Sequence, residues 1–133
     1  MQPLDRKLRG TLDSTIQTAR ATAETAARAA LEQLGVGDPK AYAWLSDAQR
    51  DLRRRLRAHG RQLGDARNPE TESQAIDLLT QEVAYQHWHR MLFARWLAEN
   101  HLLMYPDPVA PVAVTLEECA DLAAEEGTGD AWE

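Results

Sequence analysis

No proline interrupts the chain between Thr71 and Asn100, and that run holds two of the four tryptophans and the only phenylalanine. Apolar side chains recur along it at helical spacing, at Ile76, Leu79, Val83, Trp88, Met91, Leu92 and Trp96. The spacing predicts one helix of about eight turns over 71–100. From Met91 to Leu97 the apolar character spreads round most of the circumference, which a helix tolerates only when neighbours cover it on several sides. The expectation is a central helix with Trp88, Met91, Leu92 and Trp96 in the core.

Three further helices follow from local signals. Alanine, leucine, glutamine and arginine dominate residues 5–34, and Gly35 and Gly37 end that pattern. Its alanine- and threonine-rich middle, Ala19 to Ala30, makes a thin helix that needs a partner. After Asp38-Pro39, Ser46 with Gln49 forms a capping-box pattern that opens a helix over 46–63. Gly64 to Glu70, with Asn68-Pro69, reads as a turn, and Thr71 with Gln74 as a second capping box opening the central helix. Pro106, Pro108 and Pro111 make 101–114 an extended connector. Thr115 and Glu118 form a third box for a short helix over 115–126, with Gly127 to Glu133 as a frayed tail. The fold class expected is all-α, a helical bundle of three long helices plus one short C-terminal helix in a single domain, 1–133.

A chain of 133 residues is large enough to bury a core without covalent staples. Its one cysteine, Cys119, allows no internal disulfide and no multi-cysteine zinc site. No stretch has the length and apolarity of a membrane span or a secretory signal, so a soluble protein of the cytoplasm, without a membrane partner, is expected. The net charge of -6 is unevenly placed. Residues 1–70 carry 13 basic and 9 acidic side chains, and residues 71–133 carry 2 and 12. Opposite charges on neighbouring segments attract within one fold, or orient the domain against a charged partner.

Residue constellations for chemistry are sparse. His87 and His89 are two apart and point to different sides of a helix, and Met91 and Phe93 stand where second zinc ligands would be needed. No metal site is expected. Glu82, Gln86 and Arg90, and Arg95 with Glu99, have the i,i+4 spacing of helix-supporting pairs. Cys119 reads as filler, since no basic neighbour favours its thiolate. Phosphate-binding glycine loops, nucleophile elbows and the H-E-x-x-H pattern are all missing from the sequence. The second helix carries the one candidate surface. Leu45, Leu52, Leu56 and Leu63 fall on one stripe, and Arg50, Arg54, Arg57 and Arg61 on another roughly opposite. Four guanidinium groups along about 16 Å could track a nucleic-acid backbone without reading its sequence. The competing reading is a solvated helix face.

Glu82 to Pro106, EVAYQHWHRMLFARWLAENHLLMYP, resembles a segment in the N-terminal helical region of large adenine-specific DNA methyltransferases. These belong to restriction-modification and phage-defence systems, the DISARM and BREX enzymes among them. Val112 to Cys119, VAVTLEEC, is similar to the DISARM-type pattern in which a proline-rich connector leads to an acidic helix. The likeness spans residues 40–133 and is strongest over 82–119. It implies a parent enzyme that transfers a methyl group from S-adenosylmethionine to N6 of a flipped-out adenine. That enzyme needs an Asn/Asp-Pro-Pro-Tyr/Phe motif and a glycine-containing cofactor loop. Asn68-Pro69-Glu70 lacks the second proline and the aromatic, and F-x-G-x-G does not occur. No catalytic or cofactor-binding residue is therefore assigned, and no cofactor is expected in this chain. The chain reaches Glu133 about where such an enzyme would continue toward its catalytic domain. The resemblance implies a non-catalytic portion that braces the catalytic domain, docks another defence-system subunit or contacts the DNA backbone. The alternative is a free-standing helical interaction module.

Overall fold

The computed structural model describes residues 5–127, so the expected tail beyond Gly127 lies outside the described residues. The protein is mostly helical, with α1 (Arg6–Gln33), α2 (Asp47–Leu63), α3 (Asp77–Glu99) and α4 (Leu116–Glu126). Between α3 and α4 two short strands, β1 (Met104–Tyr105) and β2 (Val112–Ala113), pair antiparallel with Met104 opposite Ala113. This small hairpin stands in the proline-bearing connector. Two compact units are distinguished, one up to Trp88 and one from His89 onward, and α3 contributes to both.

Local end signals explain most helix boundaries. Ser46 caps α2 in a full capping box: its hydroxyl accepts from the Gln49 amide at 3.2 Å, and Gln49 Oε1 accepts from the Ser46 amide at 2.9 Å. Gly64 ends α2 in the left-handed conformation, φ 111°, which glycine adopts without steric cost. Thr115 and Glu118 form the corresponding box on α4.

The start of α3 differs from expectation. Thr71 and Gln74 form no capping box, because Thr71 Oγ1 pairs with Ser73 and Gln74 turns into the interior. Residues 66–75 instead close a loop. Ala75 donates to the Ala66 carbonyl and Asn68 to that of Ser73, while Asn68 Oδ1 accepts from the amides of Glu70 and Thr71. The cap comes from afar: buried Asp65 accepts from the amides of Leu78 and Leu79 at 2.9 and 3.0 Å.

The core of the first unit is small. Leu31 of α1, Val36, Ile76 and Leu79 of α3 form it, with Leu34, Leu56 and Val83 packed against them. This corrects the expected placement of the core in the aromatic half of α3. Trp88 is only half-buried, and Met91, Leu92 and Trp96 are 39%, 54% and 53% exposed. The physical reason is that α3 buries different arcs at its two ends. Its first turns turn Leu79, Thr80 and Ala84 inward, whereas beyond Trp88 the only inward positions are the half-buried Ala94, Leu97 and Ala98. In the second unit Leu103, Val114, Leu116 and Leu122 are half-buried and Ala123 is buried.

Candidate interaction surfaces

The arginine row of α2 does not stand on one solvated face. Arg57 is buried, and its guanidinium donates to the carbonyls of Val36 at 2.7 Å, Glu72 at 2.9 Å and Asp38. One turn earlier Arg53, also buried, donates from Nε to the Gly35 carbonyl at 2.8 Å and from Nη2 to that of Asp38. Arg50 reaches the carbonyls of Leu45 and Ala43, both at 2.9 Å. Arg61 donates to Gln74 Oε1 at 3.1 Å. Arg50, Arg54 and Arg61 are exposed residues, and of these Arg54 points away from the loops and pairs with Asp51 at 2.7 Å. The leucine stripe is correspondingly divided: Leu45 is buried and Leu56 half-buried, while Leu52 and Leu63 are exposed.

Arg57 therefore cross-links the loops on either side of α2 through backbone carbonyls, and Arg53 ties α2 to the preceding loop. Planar guanidinium groups suit this task, because each presents several N–H donors in a fixed fork. Burial holds the Arg57 pKa below the ordinary arginine value, and the charges of Arg53, Arg61 and Arg67 act in the same direction. Gln74 completes the network by donating to the Arg57 carbonyl at 3.0 Å. Gly60 admits this packing, since a Cβ there would stand 2.9 Å from Gln74 Nε2 and 3.1 Å from Asp65 Oδ2. Among the described residues every buried side-chain polar atom has a hydrogen-bond partner. Sequence periodicity placed Arg57 outside and left Arg53 unmentioned. The available signal was the i,i+4,i+7 spacing of Arg53, Arg57 and Gly60, which puts a small residue beside two long polar ones on the inner face.

Two apolar surfaces stand open. In the first unit a cleft of about 530 Å³ runs between α1 and the start of α3, lined by Ile16, Ala23, Leu78 and Tyr85 with Arg20, Glu24 and Glu82 also on its wall. In the second unit His89, Phe93 and Trp96 form a stacked row. Phe93 lies 6.4 Å from the His89 ring and 6.1 Å from the Trp96 ring, with interplanar angles of 13° and 9°. Leu92 and Phe93 extend this face at 54% and 53% exposure, and Leu102, Met104 and Val112 of the same unit are also more than half exposed. Of the support pairs expected along α3, Gln86 to Glu82 at 2.6 Å and Arg95 to Glu99 at 2.6 Å form. Cys119 is half-buried on α4.

No helix among the described residues is long and apolar enough to cross a membrane. No protein-family model, curated protein or solved structure matches the chain.

Proposed function

We propose that this chain is a non-catalytic helical docking portion of an S-adenosylmethionine-dependent DNA adenine-N6 methyltransferase of restriction-modification or phage-defence type, working in the cytoplasm. The observation that carries the reading is the aromatic row His89, Phe93 and Trp96, with Leu92 beside it, exposed on α3. It falls within the segment 82–119, where the resemblance is strongest. A contiguous apolar surface of this kind marks a contact with another polypeptide, and tryptophan is enriched among the residues that dominate such contacts. The covering polypeptide is the catalytic part of the enzyme or another defence-system subunit. On this reading the helical bundle is completed only when that partner is in place.

Contact with DNA is the subsidiary role. Arg57 is buried and engaged with three carbonyls, so any phosphate contact by α2 falls to exposed Arg50, Arg54 and Arg61, with Arg55 beside Arg54 on Asp51. The motifs that hold the cofactor and the flipped adenine are missing from the sequence, so the chain alone should neither bind S-adenosylmethionine nor methylate DNA. Calorimetric titration of the isolated chain with the cofactor is expected to be flat, and adenine methylation to require a separate catalytic polypeptide. Saturable cofactor binding at micromolar concentration by this chain alone would overturn the proposal.

A further inference from the structure

From Arg6 to Thr18 every residue of α1 is exposed, and this half carries an apolar ridge of Leu8, Leu12 and Ile16 at 54%, 47% and 42% exposure. The three are spaced four apart and share one side of the helix. The ridge runs directly into the cleft against α3, because Ile16 belongs to both. Along α1 the cleft wall then continues through Arg20 and Ala23 to Glu24. Leu8 and Glu24 are each eight residues from Ile16, about 12 Å on either side at 1.5 Å per residue. Ridge and groove are thus equal in length and meet at one residue.

The charges are arranged in the same sense. Arg6, Lys7 and Arg9 crowd the first turns of α1, which hold no acidic residue, although a helix N-terminus favours anions. At the other end of the groove the wall carries Glu24, which is paired with Arg20 of its own helix at 2.8 Å, and Glu82. A helix laid antiparallel on the first, with a two-fold axis at Ile16, brings the basic turns of each copy level with the acidic end of the other. Leu8 then lies beside the partner's Glu24 and Arg9 beside the partner's Ala23, with Leu12 over the middle of the groove.

We infer that the occupant of the cleft is a second copy of this chain, and that the ridges and grooves of α1 form an isologous antiparallel homodimer. A two-fold contact requires one surface to complement itself, and a ridge and groove sharing Ile16 meet that requirement. Burying the ridge also explains why one side of this exposed half-helix is apolar at Leu8, Leu12 and Ile16. The cleft lies within the first unit and the aromatic docking face within the second, so loss of either contact leaves the other open to separate measurement.

Sedimentation equilibrium of the full chain over micromolar to several hundred micromolar concentrations tests this. The wild type is expected to fit a monomer–dimer equilibrium. Leu12→Asp, a change at an exposed position, should raise the dissociation constant at least about thirtyfold, as for a central contact residue, with unchanged circular dichroism. Arg9→Glu should weaken the dimer, and Arg9→Glu/Glu24→Arg should recover most of the loss. A wild type that stays monomeric throughout, a Leu12→Asp variant that dimerises as well as wild type, or a double variant weaker than either single change would each overturn the inference.

Discussion

Arg57 and Arg54 are three residues apart on one helix, and their surroundings give them opposite roles. Arg57 satisfies the carbonyls of Val36, in a buried bond, and of Asp38 and Glu72, in part-buried ones, whereas Arg54 holds an exposed pair with Asp51. Hydrogen bonds from a charged group contribute more than neutral ones, and orphaning a buried acceptor carries the full desolvation penalty. Arg57→Ala is therefore expected to destabilise the protein by about 3 kcal/mol. Arg54→Ala should stay within about 0.5 kcal/mol of wild type, as an exposed pair contributes little. Urea denaturation followed by circular dichroism compares the two, and equal losses would contradict the buried carbonyl cage. The inversion was hard to read from sequence because arginine counts as polar in any periodicity argument. Its long side chain and fork of donors let it fill an interior position when carbonyls are supplied by loops distant in sequence, at Gly35 to Asp38 and at Glu72.

At the scale of elements, legibility followed the range of the controlling contact. The caps of α2 and α4 join residues three apart, and both stood in the sequence as Ser46/Gln49 and Thr115/Glu118. The cap of α3 joins Asp65 to Leu78 and Leu79 across a folded loop, so the local pattern at Thr71 and Gln74 suggested a start six residues too early. The α4 box also gives a pH dependence. Its hydrogen bonds with Thr115 hold the Glu118 carboxyl below the ordinary glutamate range, with only a small opposing effect of desolvation. A depressed pKa means stabilisation that is present above the unfolded-state value and lost as pH falls through the folded-state value. The helicity of α4 should accordingly decline on acidification through that window, and Glu118→Gln, which keeps an acceptor oxygen but cannot titrate, should flatten the response. Amide chemical shifts of Thr115 and Glu118 across an acid titration follow it, and an identical titration in the Gln variant would contradict the assignment.

For the whole molecule, the helical class was legible because local signals punctuate the chain, Ser46 and Thr115 at helix starts and Gly35, Gly64 and Gly127 just past helix ends. The location of the core was not legible. Aromatic density over 82–100 reads as an interior when a chain is assumed to cover its own apolar surface, and here that density lies on a face left open. The well-buried residues are the modest Leu31, Val36, Ile76 and Leu79, gathered round a polar network. The same difference makes the role of the open aromatic face measurable. Truncating a buried tryptophan costs about 3 to 5 kcal/mol, whereas a half-exposed one should cost far less in the isolated chain and most in the complex. Calorimetric titration of the catalytic polypeptide of the proposed methyltransferase with wild-type chain and with Trp96→Ala is the direct comparison, with a melting curve recorded for each. Near-identical melting is expected, with an affinity weakened at least about tenfold in the variant, the size of a substantial interface contact. A Trp96→Ala chain that melts far below wild type, or that binds the catalytic polypeptide with wild-type affinity, would contradict the assignment of this face as a docking surface.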